Sequence, residues 1–166
     1  GGLRGRKIIH YDLKPANVLF DEHRNVKVTD FGLSKIVEDG ELGGRGELSG
    51  TELTSQGAGT YWYLPPECFE MGPSPPRISS KVDVWSLGVC YFQMLTGRRP
   101  YGDGQSQERL LADKIILRAS EVNFPHKPTI STLARDFIKK CLTPDQRNRP
   151  DIATLLQHPY LRSKPK

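Results

Sequence analysis

The sequence predicts an α+β fold that is mainly α, with a small β-hairpin at its start. Three observations predict it. Val18-Leu19-Phe20 and Val26-Lys27-Val28 are short apolar runs on either side of the polar stretch Asp21-Glu22-His23-Arg24-Asn25, the pattern of two strands and a tight connection. From Val82 to Leu95 apolar residues occupy nearly every face and Gly97 follows, as in a buried helix closed by a glycine. Two later stretches, Ser106 to Ala119 and Thr132 to Leu142, carry apolar residues in spaced pairs, which is the helical period.

In chain order, the hairpin comes first. Glu38 to Gly59 is rich in Gly, Ser, Thr and Glu without a period and reads as a long surface loop. Gly72 to Pro76 is a second loop. The run from Val82 to Leu95 is too short to span a membrane and reads as a central helix. Leu110, Leu111, Ile115 and Ile116 mark an amphipathic helix over 106–119. Leu133, Phe137, Ile138 and Cys141 mark another over 132–142. Pro150 is placed to start a last helix, Asp151 to His158. No internal repeat is visible.

Composition narrows the classes. A length of 166 residues suits one domain or most of a larger one. Hydrophobic residues at 36% and charged residues at 26% exclude a disordered chain. No apolar run of about 18 residues exists, which excludes a transmembrane helix. The first ten residues are basic but lack the apolar core of a secretory signal. Cys68, Cys90 and Cys141 are odd in number and form no CxxC. That spacing disfavours a disulfide framework or a zinc site, favours a reducing intracellular compartment, and leaves three ordinary buried thiols. The net charge of +5 is mild. It suits a solvated mixed-charge surface or attraction to phosphate-bearing or acidic partners. No basic stripe interleaved with aromatics occurs, so direct nucleic-acid binding is not expected.

The strongest chemical signal is His10-Tyr11-Asp12-Leu13-Lys14-Pro15-Ala16-Asn17. A carboxylate such as Asp12 can orient and deprotonate an attacking hydroxyl. An ammonium two residues on, Lys14, can neutralise charge on a transferring phosphoryl group. The side-chain oxygen of Asn17 can complete a magnesium shell without adding charge. After the hairpin comes Asp30-Phe31-Gly32, whose Asp30 supplies a carboxylate for the same ion. Three further segments follow in order: Gly59-Thr60-Tyr61-Trp62-Tyr63-Leu64-Pro65-Pro66-Glu67, then Asp83-Val84-Trp85-Ser86-Leu87-Gly88, then Arg149-Pro150.

In this order the five motifs resemble the C-terminal lobe of a eukaryotic protein kinase. The Tyr of His10-Tyr11-Asp12, the second Pro before Glu67, and the segments Gly104-Gln105-Ser106-Gln107 and Lys81 to Ser86 are similar to the tousled-like serine/threonine kinase family. The resemblance covers residues 1–161 as a partial kinase domain. It implies a catalytic loop at 10–17, an activation segment at 30–67, a helical remainder at 79–161 and a tail at 162–166. It implies ATP and Mg2+ as cofactors and a protein substrate with a Ser or Thr acceptor. Asp12 is then the catalytic base, and Lys14 the lysine that meets the γ-phosphate. Asn17 and Asp30 are the magnesium ligands, and Leu19 is the apolar floor beneath the adenine, although a strand leucine is equally readable as core. Thr60 is the threonine that bonds to Asp12 and Lys14. Glu67 and Arg149 form a buried ion pair, Asp83 holds the catalytic-loop backbone, and His10 is structural. Tyr63, Trp62 and Trp85 read as packing residues or as part of the peptide shelf. Membership of the tousled-like family further implies a nuclear enzyme acting on histone chaperones in chromatin assembly.

The sequence departs from the general kinase pattern in two places. Tyr11 stands where an arginine usually grips a phosphate on the activation loop. Ser49, Thr51, Thr54 and Ser55 offer acceptors in that loop, but the group that reads their phosphate is not evident. No glycine-rich phosphate loop, strand lysine or partner-helix glutamate precedes His10, so the small nucleotide-binding lobe is expected to be missing. Besides the catalytic lobe of an active kinase, a non-catalytic docking module stays open. A small-molecule phosphotransferase is disfavoured by the segment from Gly59 to Glu67.

Overall fold

Among the described residues, four short strands and five helices are built on local signals that mostly stand in the sequence. The structure is a computed structural model and describes residues 6–38, 60–73 and 78–162. The loop residues 39–59, with Ser49, Thr51, Thr54, Ser55 and Gly59, lie outside the described residues. So do 74–76 of the second loop and 163–166 of the tail.

Strand β1, Arg6–Ile9, is followed by the loop at 10–17, then β2, Val18–Phe20, and β3, Val26–Val28. Strands β2 and β3 pair antiparallel, with Val18 opposite Val28 and Phe20 opposite Val26. Asp21 closes the hairpin. Its Oδ1 accepts the N–H groups of His23 at 2.9 Å and Asn25 at 2.8 Å, an Asx-type turn. Those bonds to Asn25 hold the Asp21 carboxyl below its usual range. A second sheet, not expected from the sequence, pairs β1 with β4, Lys35–Glu38. In it Ile8 lies opposite Ile36 and Ile9 opposite Lys35. The β part is therefore two two-stranded sheets rather than a single hairpin.

The helical part is centred on α1, Lys81–Thr96. Val82, Val84, Trp85, Val89 and Phe92 on this helix are all buried, as its all-round apolar pattern predicts. Gly97 ends it at φ 74, with its N–H on Gln93 O at 2.8 Å. Helix α3, Thr132–Cys141, crosses α1 and is capped by Ser131, whose Oγ accepts the Ala134 N–H at 3.2 Å. The crossing is close because position 88 has no side chain. A Cβ on Gly88 would stand 2.6 Å from Cys141 Cβ.

Two expectations need correction. The helix foreseen over 106–119 is α2, Gln107–Ala112. Lys114 turns to φ 53 and Ile115 N–H reaches back to Leu110 O, so the chain leaves the helix. This seats Ile116 beside Leu110 in the core. Pro150 does not start the last helix. Asp151 caps the short α4, Ile152–Leu155, by accepting the Thr154 N–H at 2.8 Å, and a further turn, α5, starts at Pro159 and runs to Arg162. The three cysteines are free and buried, as expected. No helix among the described residues is long and apolar enough to cross a membrane.

Candidate active site

The loop at 10–17 is suspended from α1. Asp83, in the first turn of that helix, accepts two backbone N–H groups: His10 on Oδ2 at 2.7 Å and Tyr11 on Oδ1 at 3.0 Å. Burial pushes the Asp83 carboxyl up, and these two bonds oppose that shift. The anchoring offsets strain, because Tyr11 sits at φ 70, a conformation that costs about 1–3 kcal/mol in a bulky residue. His10 is structural, as the resemblance implies. Its Nε2 donates to Thr29 O at 2.8 Å and its Nδ1 accepts the Asp12 N–H at 3.2 Å. The histidine thus ties this loop to the end of β3.

Three of the expected site residues meet. Lys14 Nζ donates to Thr60 Oγ1 at 2.8 Å and lies 3.6 Å from Asp12 Oδ2. Asp12 is buried at 9% exposure. Asn17 Nδ2 donates to Asp12 O at 2.9 Å and to Asp12 Oδ2 at 3.3 Å. A turn of 3-10 helix, Pro15–Asn17, makes this possible by folding Asn17 back over the loop. Both of these neighbours act on Oδ2 of Asp12.

Asp30 reaches the same region through the hairpin. Its neighbour Thr29 donates its N–H to Asn17 O at 2.9 Å, which continues the β2–β3 ladder by one step. Asp30 is exposed, at φ 60, and its Oδ1 accepts the Gly32 N–H at 3.3 Å. Phe31 packs edge-on against the His10 ring, with centroids 4.7 Å apart. Asn17 donates from Nδ2 in both bonds to Asp12, so Oδ1 is the neutral oxygen it would offer a metal. No group of three or more His, Cys, Asp or Glu side chains among the described residues is placed to hold a metal by itself. A magnesium ion that keeps waters and phosphate oxygens needs only one or two protein ligands, and Asn17 and Asp30 fit that demand. Leu19 is 51% exposed on β2. It is therefore not core and offers apolar surface.

Behind the site, Glu67 and Arg149 form a fork-to-fork pair. Nη1 donates to Oε1 at 2.7 Å and Nη2 to Oε2 at 3.0 Å. The other three N–H groups of the guanidinium reach Thr143 O, Lys81 O and Pro144 O, so all five donors are used. Tyr11, in the arginine's place, turns inward. The Lys35 ammonium lies 4.8 Å from the centre of the Tyr11 ring. Burial pushes the Cys68 thiol up to about 12, so it stays protonated and unreactive. No local pattern in the sequence signals the contact of Tyr11 with Lys35, since the two belong to separate segments. Gln107, which accepts the Tyr61 N–H at 2.9 Å, was also missed as a site residue. Its only signal was its place in a segment shared with tousled-like kinases.

A mostly helical chain with two small sheets, a suspended Asp-Lys-Asn loop and a following Asp-Phe-Gly defines a protein kinase domain. The sequence pattern of the family described as "Protein kinase domain" matches residues 3–161, and the chain belongs to that family. It is 61% identical over 159 residues to "Serine/threonine-protein kinase TOUSLED" of Arabidopsis thaliana, covering 95% of this chain and 22% of the relative. It is 54% identical over 157 residues to human "Serine/threonine-protein kinase tousled-like 1", covering 93% and 20%. It is 48% identical over 164 residues to the tousled-like 1 kinase of Caenorhabditis elegans, covering 95% and 16%. The chain thus spans about a fifth of the length of these relatives.

Proposed function

We propose that this chain is the C-terminal lobe of a serine/threonine protein kinase, transferring the γ-phosphoryl group of ATP to protein Ser and Thr hydroxyls. The observation that carries the reading is the contact of Asp12, Lys14 and Thr60 across 46 residues of sequence. Asp12 accepts the proton of the acceptor hydroxyl as its oxygen bonds to the γ-phosphorus and the bond to the bridging oxygen of ADP breaks. Lys14 places its ammonium between the base and the acceptor site, where charge on the transferring group is neutralised. Asn17 and Asp30 would hold Mg2+, which neutralises phosphate charge when bound. Leu19 would underlie the adenine. Thr60 holds Lys14, and with it favours aliphatic hydroxyl acceptors. The nucleotide-binding lobe that completes such a site has no counterpart among these 166 residues.

The similarity to tousled-like kinases supports a narrower reading: a nuclear enzyme whose protein substrate is a histone chaperone, acting in chromatin assembly. The experiment for the reaction is phosphate transfer by the full-length protein carrying this sequence. Asp12→Asn should lower turnover roughly 10²–10⁴-fold while nucleotide affinity stays. Products should carry phosphoserine or phosphothreonine. Turnover near wild type in Asp12→Asn, or phosphotyrosine as the main product, overturns the reading.

A further inference from the structure

The turn that carries Thr60 is held from a distant part of the chain. Tyr61 to Tyr63 is a single turn of 3-10 helix with Thr60 in the capping position. The first N–H groups of a helix have no partner inside it, and the capping side chain serves those of the second and third residues rather than the first. The Thr60 side chain caps no N–H of this turn; its hydroxyl accepts from Lys14. Tyr61 is buried, so its N–H needs a protein acceptor. Gln107 Oε1 supplies it at 2.9 Å from 46 residues away.

The support behind Gln107 is rigid. Ser106 caps α2 by accepting the Arg109 N–H at 3.2 Å, and Leu110 in that helix is buried. Gly102 turns at φ +62, and a Cβ there would stand 2.8 Å from Leu110 Cδ1. Its carbonyl accepts the Trp62 Nε1–H at 3.1 Å. The Arg99 guanidinium lies 4.1 Å from the centre of the Trp62 ring, and Arg99 N–H donates to Asp103 Oδ1 at 3.1 Å. Residues 99–107 thus grip Tyr61 and Trp62 together.

We infer that Gln107 is a positioning residue for phosphoryl transfer, fixing Thr60 through the Tyr61 N–H and thereby seating Lys14 against Asp12. The inference rests on the kinase reading above. Gln107 acts on Thr60 through the backbone, by holding the N–H of the residue that follows it. Small displacements of such groups are felt strongly, since a misplacement of about 1 Å can lower a rate by about 10².

The test uses the full-length protein with Gln107→Leu, which removes the acceptor, and Gln107→Glu, which keeps an oxygen at the same reach. The expected result is a roughly 10-fold or larger fall in kcat for Gln107→Leu, with KM for ATP and Tm close to wild type and kcat recovered in Gln107→Glu. In a Thr60→Ala background, Gln107→Leu should add little, because both act through one hydroxyl. An unchanged kcat in folded Gln107→Leu, or the same fall with and without Thr60, overturns the inference. If Gln107→Leu does not fold, Gln107→Asn, one methylene shorter, is read by the same criteria. An Asp12→Asn control as active as wild type would instead overturn the kinase reading, and the inference with it.

Discussion

Glu67 and Arg149, 82 residues apart, meet through two parallel hydrogen bonds of 2.7 and 3.0 Å in a site that water does not reach. The pair joins the 3-10 turn Pro66–Cys68 to the loop before α4. Three backbone carbonyls complete the guanidinium's shell, and the Trp85 ring lies 5.1 Å from its carbon. Removing one partner of such a pair leaves a buried, uncompensated charge, at a cost of about 3–5 kcal/mol. Arg149→Ala should therefore lower stability by about that amount in denaturant melts. A loss under about 1 kcal/mol, the range of exposed pairs, would contradict the enclosure described here.

The two proposed metal ligands should separate in nucleotide binding. Asp30→Ala removes the carboxylate that Mg2+ prefers, whereas Asn17→Ala removes a neutral oxygen. Titrating nucleotide with and without Mg2+ should show the metal's benefit abolished in Asp30→Ala and reduced less in Asn17→Ala. Equal, negligible effects would remove both residues from the metal site.

Gly88 sets the approach of α1 to α3. In an ordinary helix Gly→Ala stabilises by about 1 kcal/mol. Here the new Cβ would stand 2.6 Å from Cys141 Cβ and 3.0 Å from Leu142 Cδ2, and no rotamer relieves a clash at Cβ. Overpacking of this kind costs about 1–3 kcal/mol, so Gly88→Ala should be net destabilising. A raised denaturant midpoint would show that the two helices separate freely.

Expressed alone, the 166 residues should show no measurable protein kinase activity and only weak binding of magnesium–ATP. The proposed base and proposed metal ligands are present, but no glycine-rich phosphate loop or strand lysine precedes His10 in the sequence, and transfer needs the phosphates held in line. Leu19, Phe20, Val26 and Phe31 are exposed around the hairpin, which favours self-association of the isolated chain. A radiolabelled phosphate-transfer assay with Asp12→Asn as control tests this. Robust transfer abolished by Asp12→Asn would show that these residues suffice.

Much of the site was legible because its residues are close in sequence. Asp12, Lys14 and Asn17 fall within one loop, and the β2–β3 hairpin carries the chain from Asn17 to Asp30, so motif and turn chemistry together bring the ligands into one region. The buried helix Lys81–Thr96 announced itself by its apolar run and Gly97, both local signals. The β1–β4 pairing did not. Each strand has four residues, and they are separated by the catalytic loop and the hairpin, so neither carries a register by itself. The end of α2 was equally hidden. The apolar period runs on through Ile115 and Ile116, and the chain leaves the helix at Lys114 because Ile116 is needed in the core beside Leu110.

The sequence by itself determined which chemical groups this protein brings to its site and the order in which they come, since those depend on residue type and short spacing. Only the tertiary structure decided how they are held. Asp83 holds the His10 and Tyr11 N–H groups from a helix 73 and 72 residues away, the Lys35 ammonium lies over the Tyr11 ring, and Gln107 accepts the N–H of Tyr61, next to Thr60. Each of these is a contact between segments with no pattern in common. Burial creates the need for a partner, and the fold determines which side chain is near enough to meet it.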